Sequence, residues 1–108
     1  MKLPTEIFGD VVVVHTPEEL SEEQTPQLAA WLTSLERANV VVDLNGTETF
    51  DSHGLTVLLD AQDNLRLAGG DLRICTSNAT NRKLLEITRL DQSLEVFETV
   101  LEAVKSFA

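Results

Sequence analysis

Val40-Val41-Val42-Asp43-Leu44-Asn45-Gly46-Thr47-Glu48-Thr49-Phe50-Asp51-Ser52-His53-Gly54-Leu55 is the passage on which the fold turns. Its valine run reads as a strand covered on both faces, since such strands show unbroken apolar runs instead of alternation. A polar loop follows, and from Ser52 to Ala68 the residues Leu55, Leu58, Leu59, Gln62 and Leu65 trace one helical stripe. Gly69-Gly70 stands in the usual place for a helix C-terminus. Strand, loop and helix thus follow one another within thirty-odd residues.

The same alternation extends in both directions. On the N-terminal side, Val11 to Val14 follow a Gly9-Asp10 turn signal and the apolar pair Ile7-Phe8, which predicts a hairpin. Between there and Val40, Leu28, Trp31, Leu32 and Leu35 take the i, i+3, i+4, i+7 spacing of a helix over about Glu23 to Arg37. On the C-terminal side, Leu72-Arg73-Ile74-Cys75 reads as a third strand. Thr80 to Thr88 and Phe97 to Phe107 read as helices, and Leu94 to Phe97 as a short edge strand before the last of them. Strands alternating with helices call for parallel pairing through right-handed crossovers. The expectation is an α/β fold: a mixed, mostly parallel sheet of about four to five strands, opened by the hairpin and packed by about four helices.

A chain of 108 residues with 43% apolar and 24% charged side chains has the composition of an ordinary globular protein, and we expect one domain over residues 1–108. No apolar run approaches the roughly 20 residues of a membrane helix and no secretory layout opens the chain, so a cytoplasmic location without membrane insertion is expected. The net charge of −10 makes nucleic acid and anionic membranes poor partners, because both are bound by displacing counterions with Lys and Arg. Glu18, Glu19, Glu22 and Glu23 crowd one stretch, whereas six of the eight basic residues lie from Arg66 onward. The acidic stretch reads either as a solvated helix start or as a surface that steers a basic partner.

Few groupings suggest chemistry. One cysteine, Cys75, and two histidines, His15 and His53, do not make a four-ligand zinc site. Cys75 lies in a strand-like apolar run and reads as a small buried hydrophobe. There is no phosphate-loop motif, and Gly69-Gly70 ends a helix where a dinucleotide motif would open one, so no cofactor is expected. Asp51-Ser52-His53 are sequence neighbours that do not face one another on a helix, and no nucleophile elbow surrounds them. Asp60 and Asp63 fit a solvated helix face better than acid–base work. Asp51 reads as the cap for the first free amides, Phe50 as a hydrophobic staple, and Ser52 as a first-turn residue. Two readings of Ser52 stand side by side: a residue that merely helps start the helix, or a hydroxyl displayed where parallel sheets commonly place ligand and partner sites.

Asp43-Leu44-Asn45-Gly46 followed by Asp51-Ser52-His53-Gly54-Leu55 resembles the signature of STAS domains, above all the bacterial anti-sigma-factor antagonists. Gly69-Gly70-Asp71-Leu72-Arg73-Ile74 resembles the family's strand entry, and Leu84-Leu85-Glu86-Ile87-Thr88-Arg89-Leu90 its following helix, so the likeness runs from about residue 6 to residue 107. The resemblance implies a non-enzymatic binding protein whose partner is an anti-sigma factor that is also a serine kinase. It implies that Ser52 is the phosphorylated residue and that unphosphorylated protein sequesters the kinase and frees the sigma factor. The implied partner surface comprises Ser21, Thr49, Asp51, Ser52, His53 and Gly54, with Asp51 positioning Ser52 and Gly54 allowing close approach. A non-switching interaction module, such as a signalling scaffold or a transporter's accessory subunit, is the alternative. The chain departs from the family pattern in three places: His53 where a second serine is frequent, Pro17-Glu18-Glu19-Leu20-Ser21 with one extra residue, and Arg89 where glycine is usual.

Overall fold

A computed structural model describes residues 3–20, 25–35, 39–89 and 94–107, with the side chains of Thr33, Thr49 and Phe50 outside the description. Strand β1 (Thr5–Phe8) turns through Gly9, whose φ of 62° suits a residue without a Cβ, into β2 (Val11–His15). The hairpin expected from Ile7-Phe8-Gly9-Asp10 is therefore present, with Phe8 facing Val11 and Thr5 facing Val14. The remaining elements are β3 (Glu19–Leu20), α1 (Thr25–Thr33), β4 (Asn39–Asp43), β5 (Thr49–Phe50), α2 (Ser52–Leu67), β6 (Asp71–Cys75), α3 (Ala79–Ile87), β7 (Val96–Phe97) and α4 (Val100–Lys105).

The main sheet has five strands in the order β1-β2-β4-β6-β7, antiparallel at the hairpin and parallel thereafter. Its three central strands are the two valine runs and the Leu72-Arg73-Ile74-Cys75 run, and all four valines from Val11 to Val14 are buried, as strands covered on both faces must be. One face carries the larger core, where Leu28 and Leu32 of α1, Leu55 and Leu58 of α2 and Leu85 of α3 pack on Val12, Val14, Val40, Val42, Leu72 and Ile74. Gln62 lies in that buried stripe and donates to the Leu72 carbonyl at 3.2 Å, which is how a polar side chain is tolerated there. The opposite face is covered by the short α4, whose Val100, Ala103 and Val104 meet Val11, Val13, Val41 and Cys75. Arg73 fastens α4 from below: its guanidinium lies 4.2 Å over the Phe107 ring and its Nη1 donates to Ser106 Oγ at 2.6 Å.

Three expectations need correction. The helix expected to run to about Arg37 stops at Thr33. The final helix does not begin at Phe97: that residue ends β7, and Thr99 caps α4 by accepting from the Glu102 amide at 3.1 Å, so the helix starts at Val100. Glu18 and Glu19 do not open a helix either. Glu19 begins β3, which pairs in parallel with β5, while the Glu18 carbonyl accepts from the Glu48 amide at 2.8 Å. This separate two-stranded ladder was not expected at all. Glu22 and Glu23 lie outside the described residues.

Candidate functional site

The carboxyl ends of β2, β4 and β6 meet one polar layer. Thr16 follows β2 and is buried; its amide and its Oγ1 both donate to the Asp43 carbonyl, at 3.1 and 3.0 Å. Thr47, fully buried in the loop after β4, has its hydroxyl oxygen 2.5 Å from that of Thr16 and 2.6 Å from the Pro17 carbonyl. From α3, Asn81 donates to the carbonyls of Thr47 at 3.0 Å and Leu44 at 3.4 Å. Asn45 accepts from both the amide and the hydroxyl of Ser77. Buried polar groups are stable only when paired, and here each pairing ties the 44–48 loop to a different neighbour. The loop that leads to α2 is consequently held from three sides.

That loop delivers the start of α2. Asp51 takes an extended conformation (φ −121°, ψ −176°), and its Oδ1 accepts from the amides of His53 at 3.0 Å and Gly54 at 3.2 Å. This is the cap the sequence predicts, satisfying two of the amides a helix start leaves free. Ser52 is the first helical residue and is exposed; its carbonyl accepts from Thr56 Oγ1 at 3.0 Å. His53 is exposed beside it, with Nδ1 3.6 Å from Asp51 Oδ2. Gly54 and Leu55 are buried, so the first turn is anchored on one side and open on the other.

Of the six residues expected at the partner surface, Asp51, Ser52, His53 and Gly54 are thus gathered in one turn. Thr49 joins them through the β5 backbone, and Ser21 lies outside the described residues, as does the staple expected of the Phe50 side chain. The β3–β5 ladder adds something else. It sets exposed Glu18 and Glu19 beside exposed Glu48, an acidic border on the segment that leads into α2. Cys75 is fully buried, and burial together with the nearby Asp43 charge pushes its thiol up to about 11, which keeps it neutral and unreactive.

A polar cluster at the same end of the sheet escaped the sequence reading. His15 Nδ1 lies 2.7 Å from Asp43 Oδ2 and His15 Nε2 lies 2.7 Å from Glu6 Oε1. A signal for it was available: His15 and Asp43 each close a valine run, and parallel register sets them side by side.

A mostly parallel α/β sheet with a short N-terminal hairpin, and a capped helix displaying a serine after a central strand, define a class of small fold. The profile of the STAS domain family matches residues 2–103, and the chain belongs to that family. Its relatives include a Thermotoga neapolitana protein provisionally named an anti-sigma factor antagonist, 26% identical, the alignment covering 94% of each chain. The crystal structure of a Thermotoga maritima protein with the same provisional description superposes with a TM-score of 0.87 at 24% identity, over 96% of this chain and 92% of that one. The Bacillus cell-fate determinant SpoIIAA in its phosphorylated form gives a TM-score of 0.74 at 18% identity, over 99% of this chain and all of that one. At such identities the structural likenesses show a shared fold.

Proposed function

We propose that this chain is a cytoplasmic, single-domain anti-sigma-factor antagonist that binds an anti-sigma factor with serine-kinase activity and is released when that kinase phosphorylates Ser52. The observation that carries the reading is the exposed Ser52 in the first turn of α2, next to a cap that is already satisfied. The names of its relatives support it. The hydroxyl is accessible to a partner that supplies ATP and magnesium, while the anchored 44–48 loop and buried Leu55 hold the backbone in place.

The arrangement makes phosphorylation tolerable for the fold and intolerable for the contact. A phosphate brings about −1.5 to −2 charges, and at an exposed helix N-terminus the helix dipole favours it by about 0.3–1 kcal/mol. Neighbouring Asp51 and the acidic border of Glu18, Glu19 and Glu48 oppose it. A partner surface complementary to these acids and to a neutral hydroxyl meets unmatched charge and bulk after transfer, which commonly costs several kcal/mol.

Ser52→Ala is expected to bind the kinase and resist phosphorylation, and Ser52→Asp to fold normally and bind poorly. Calorimetric titration of both variants and of the phosphorylated protein against the isolated kinase, with melting curves alongside, checks this. The phosphorylated form should lose at least about a hundredfold in affinity, the equivalent of about 3 kcal/mol, at nearly unchanged melting temperature. Equal affinity of the two forms rejects the switch and leaves a non-switching interaction module.

A further inference from the structure

The pairing of His15 with two carboxylates does work that neither the fold nor the Ser52 site requires. Both of its ring nitrogens lie 2.7 Å from a carboxylate oxygen, the short distance of a charge-assisted hydrogen bond. A neutral imidazole offers one N–H and one lone pair, so it can satisfy only one of these acids and must turn a lone pair against the other. Only the doubly protonated ring donates to both carboxylates at once.

We propose that Glu6, His15 and Asp43 form a proton-operated clasp that fastens edge strand β1 to the sheet and lets it loosen when the His15 ring loses its Nε2 proton. Strand β1 is the element with most to lose. All four of its residues are exposed, Ile7 at 62%, so little apolar burial holds it. Among the described residues it is held by the ladder to β2, by Leu3 just before it, which is buried in the main core, by the bond from the His15 amide to the Pro4 carbonyl at 3.0 Å, and by the Glu6 contact. The last two converge on His15.

The surroundings decide which proton leaves. Asp43 is 12% exposed and its Oδ1 also accepts from the Asn45 amide at 3.0 Å, whereas Glu6 is 54% exposed and can be hydrated by a small swing. The neutral ring therefore keeps Nδ1–H on Asp43 and gives up Nε2–H, opening the Glu6 arm. No other charge among the described neighbours competes for the ring. Cys75 of β6 stands opposite Asp43 as a neutral thiol, and α4 crosses this face with Glu102, whose charge acts on Cys75, and with Lys105. Burial by itself lowers the His15 pKa, but the hydrogen bonds and charges of Glu6 and Asp43 outweigh it and raise the value above 6.5. With the folded value above the unfolded one, the stabilisation is whole below about 6.5 and disappears as pH rises through the folded pKa. The clasp is closed in mild acid and open in mild alkali.

The test is a pH titration of uniformly 15N-labelled protein, reading the His15 ring nitrogens and the exchange protection of the Thr5–Phe8 amides. The urea-unfolded chain serves as the reference for the ring. Expected are a His15 midpoint above that reference, an Nδ1–H tautomer at high pH, and a several-fold loss of β1 protection across the same interval while β4 amides hold theirs. Glu6→Gln, an exposed and conservative change, should lower the midpoint and abolish the pH dependence of β1 protection, because a neutral amide can donate to the bare Nε2. An Nε2–H tautomer in the neutral protein, or a Glu6→Gln variant with the wild-type midpoint and protection profile, overturns the proposal.

Discussion

Helices α2 and α3 leave neighbouring parallel strands at the same end of the sheet and begin with the same device, yet they put it to opposite uses. Each starts on an Asx cap: Asp51 accepts from the amides two and three residues on, and Asn78 does the same for Thr80 and Asn81. Beyond the cap they diverge. In α3 the third residue, Asn81, turns inward, is 1% exposed and straps the 44–48 loop by two hydrogen bonds. In α2 the first two residues, Ser52 and His53, turn outward and strap nothing. The helix that bears no candidate site supports the loop of the one that does. An exposed hydroxyl can thus be displayed rigidly only because polar groups next door are spent on the interior.

The largest effect expected from breaking this division of labour is at Asn81. Replacing it with alanine leaves the buried Thr47 carbonyl without the Asn81 amide and opens a small void, and should cost about 2 kcal/mol. In a chain of this size that is a fall of about 10 °C in melting temperature, measurable by calorimetry. If Ser52 is phosphorylated as proposed, that reaction should then also become less selective, since the Ser52 loop is no longer held on the α3 side. A loss confined to stability, with phosphorylation kinetics unchanged, would separate the two helices functionally.

The caps come next. Asp51→Ala and Asn78→Ala should each destabilise by about 1 kcal/mol, as removal of an N-cap acceptor usually does. Charge sharpens the contrast: Asp51→Asn keeps the acceptor but loses the favourable placement of a carboxylate at a helix start, for a further few tenths of a kcal/mol, and Asn78→Asp should gain about as much. Urea denaturation of the four variants checks this, and equal behaviour of the two Asp/Asn exchanges would show that the acidic border of Glu18, Glu19 and Glu48 cancels the dipole at α2.

What the sequence made legible follows from how local each cause is. Valine runs, helical stripes and the Asp51 cap depend on residues within one or two turns of each other, and the strands β2, β4 and β6 and the start of α2 fall where those patterns place them. The β3–β5 ladder did not show, because a two-residue strand is too short to carry a period. Nor did the strap, since nothing near Asn81 in the chain announces that its partner is Thr47, 34 residues away. The same holds for Thr16 and Thr47, which look like ordinary loop threonines until the fold buries them together. His15 and Asp43, 28 residues apart, could have been paired only by laying one valine run against the other in parallel register.

The last comparison lies at the other ends of the two helices, where the contrast was visible in the sequence as an arginine in a glycine's place. Helix α2 stops at Gly69, whose φ of 88° places it in the left-handed region and lets the Gly70 amide donate back to the Leu65 carbonyl at 2.8 Å. Helix α3 stops in the same way but puts Arg89 there, at φ 61°, with its amide bonded to the Glu86 carbonyl at 3.1 Å. A side chain in that region brings Cβ against the carbonyl, at a cost of about 1 kcal/mol, whereas glycine pays no such cost but gives up more freedom on folding. Arg89→Gly should therefore stabilise by about 0.5 kcal/mol, and Gly69→Ala should destabilise by about 1 kcal/mol. Paired urea midpoints at constant slope measure both. If Arg89→Gly instead lowers the midpoint, the arginine side chain is holding something at the end of α3 that outweighs its backbone strain, and the two helix ends differ in kind as well as in residue.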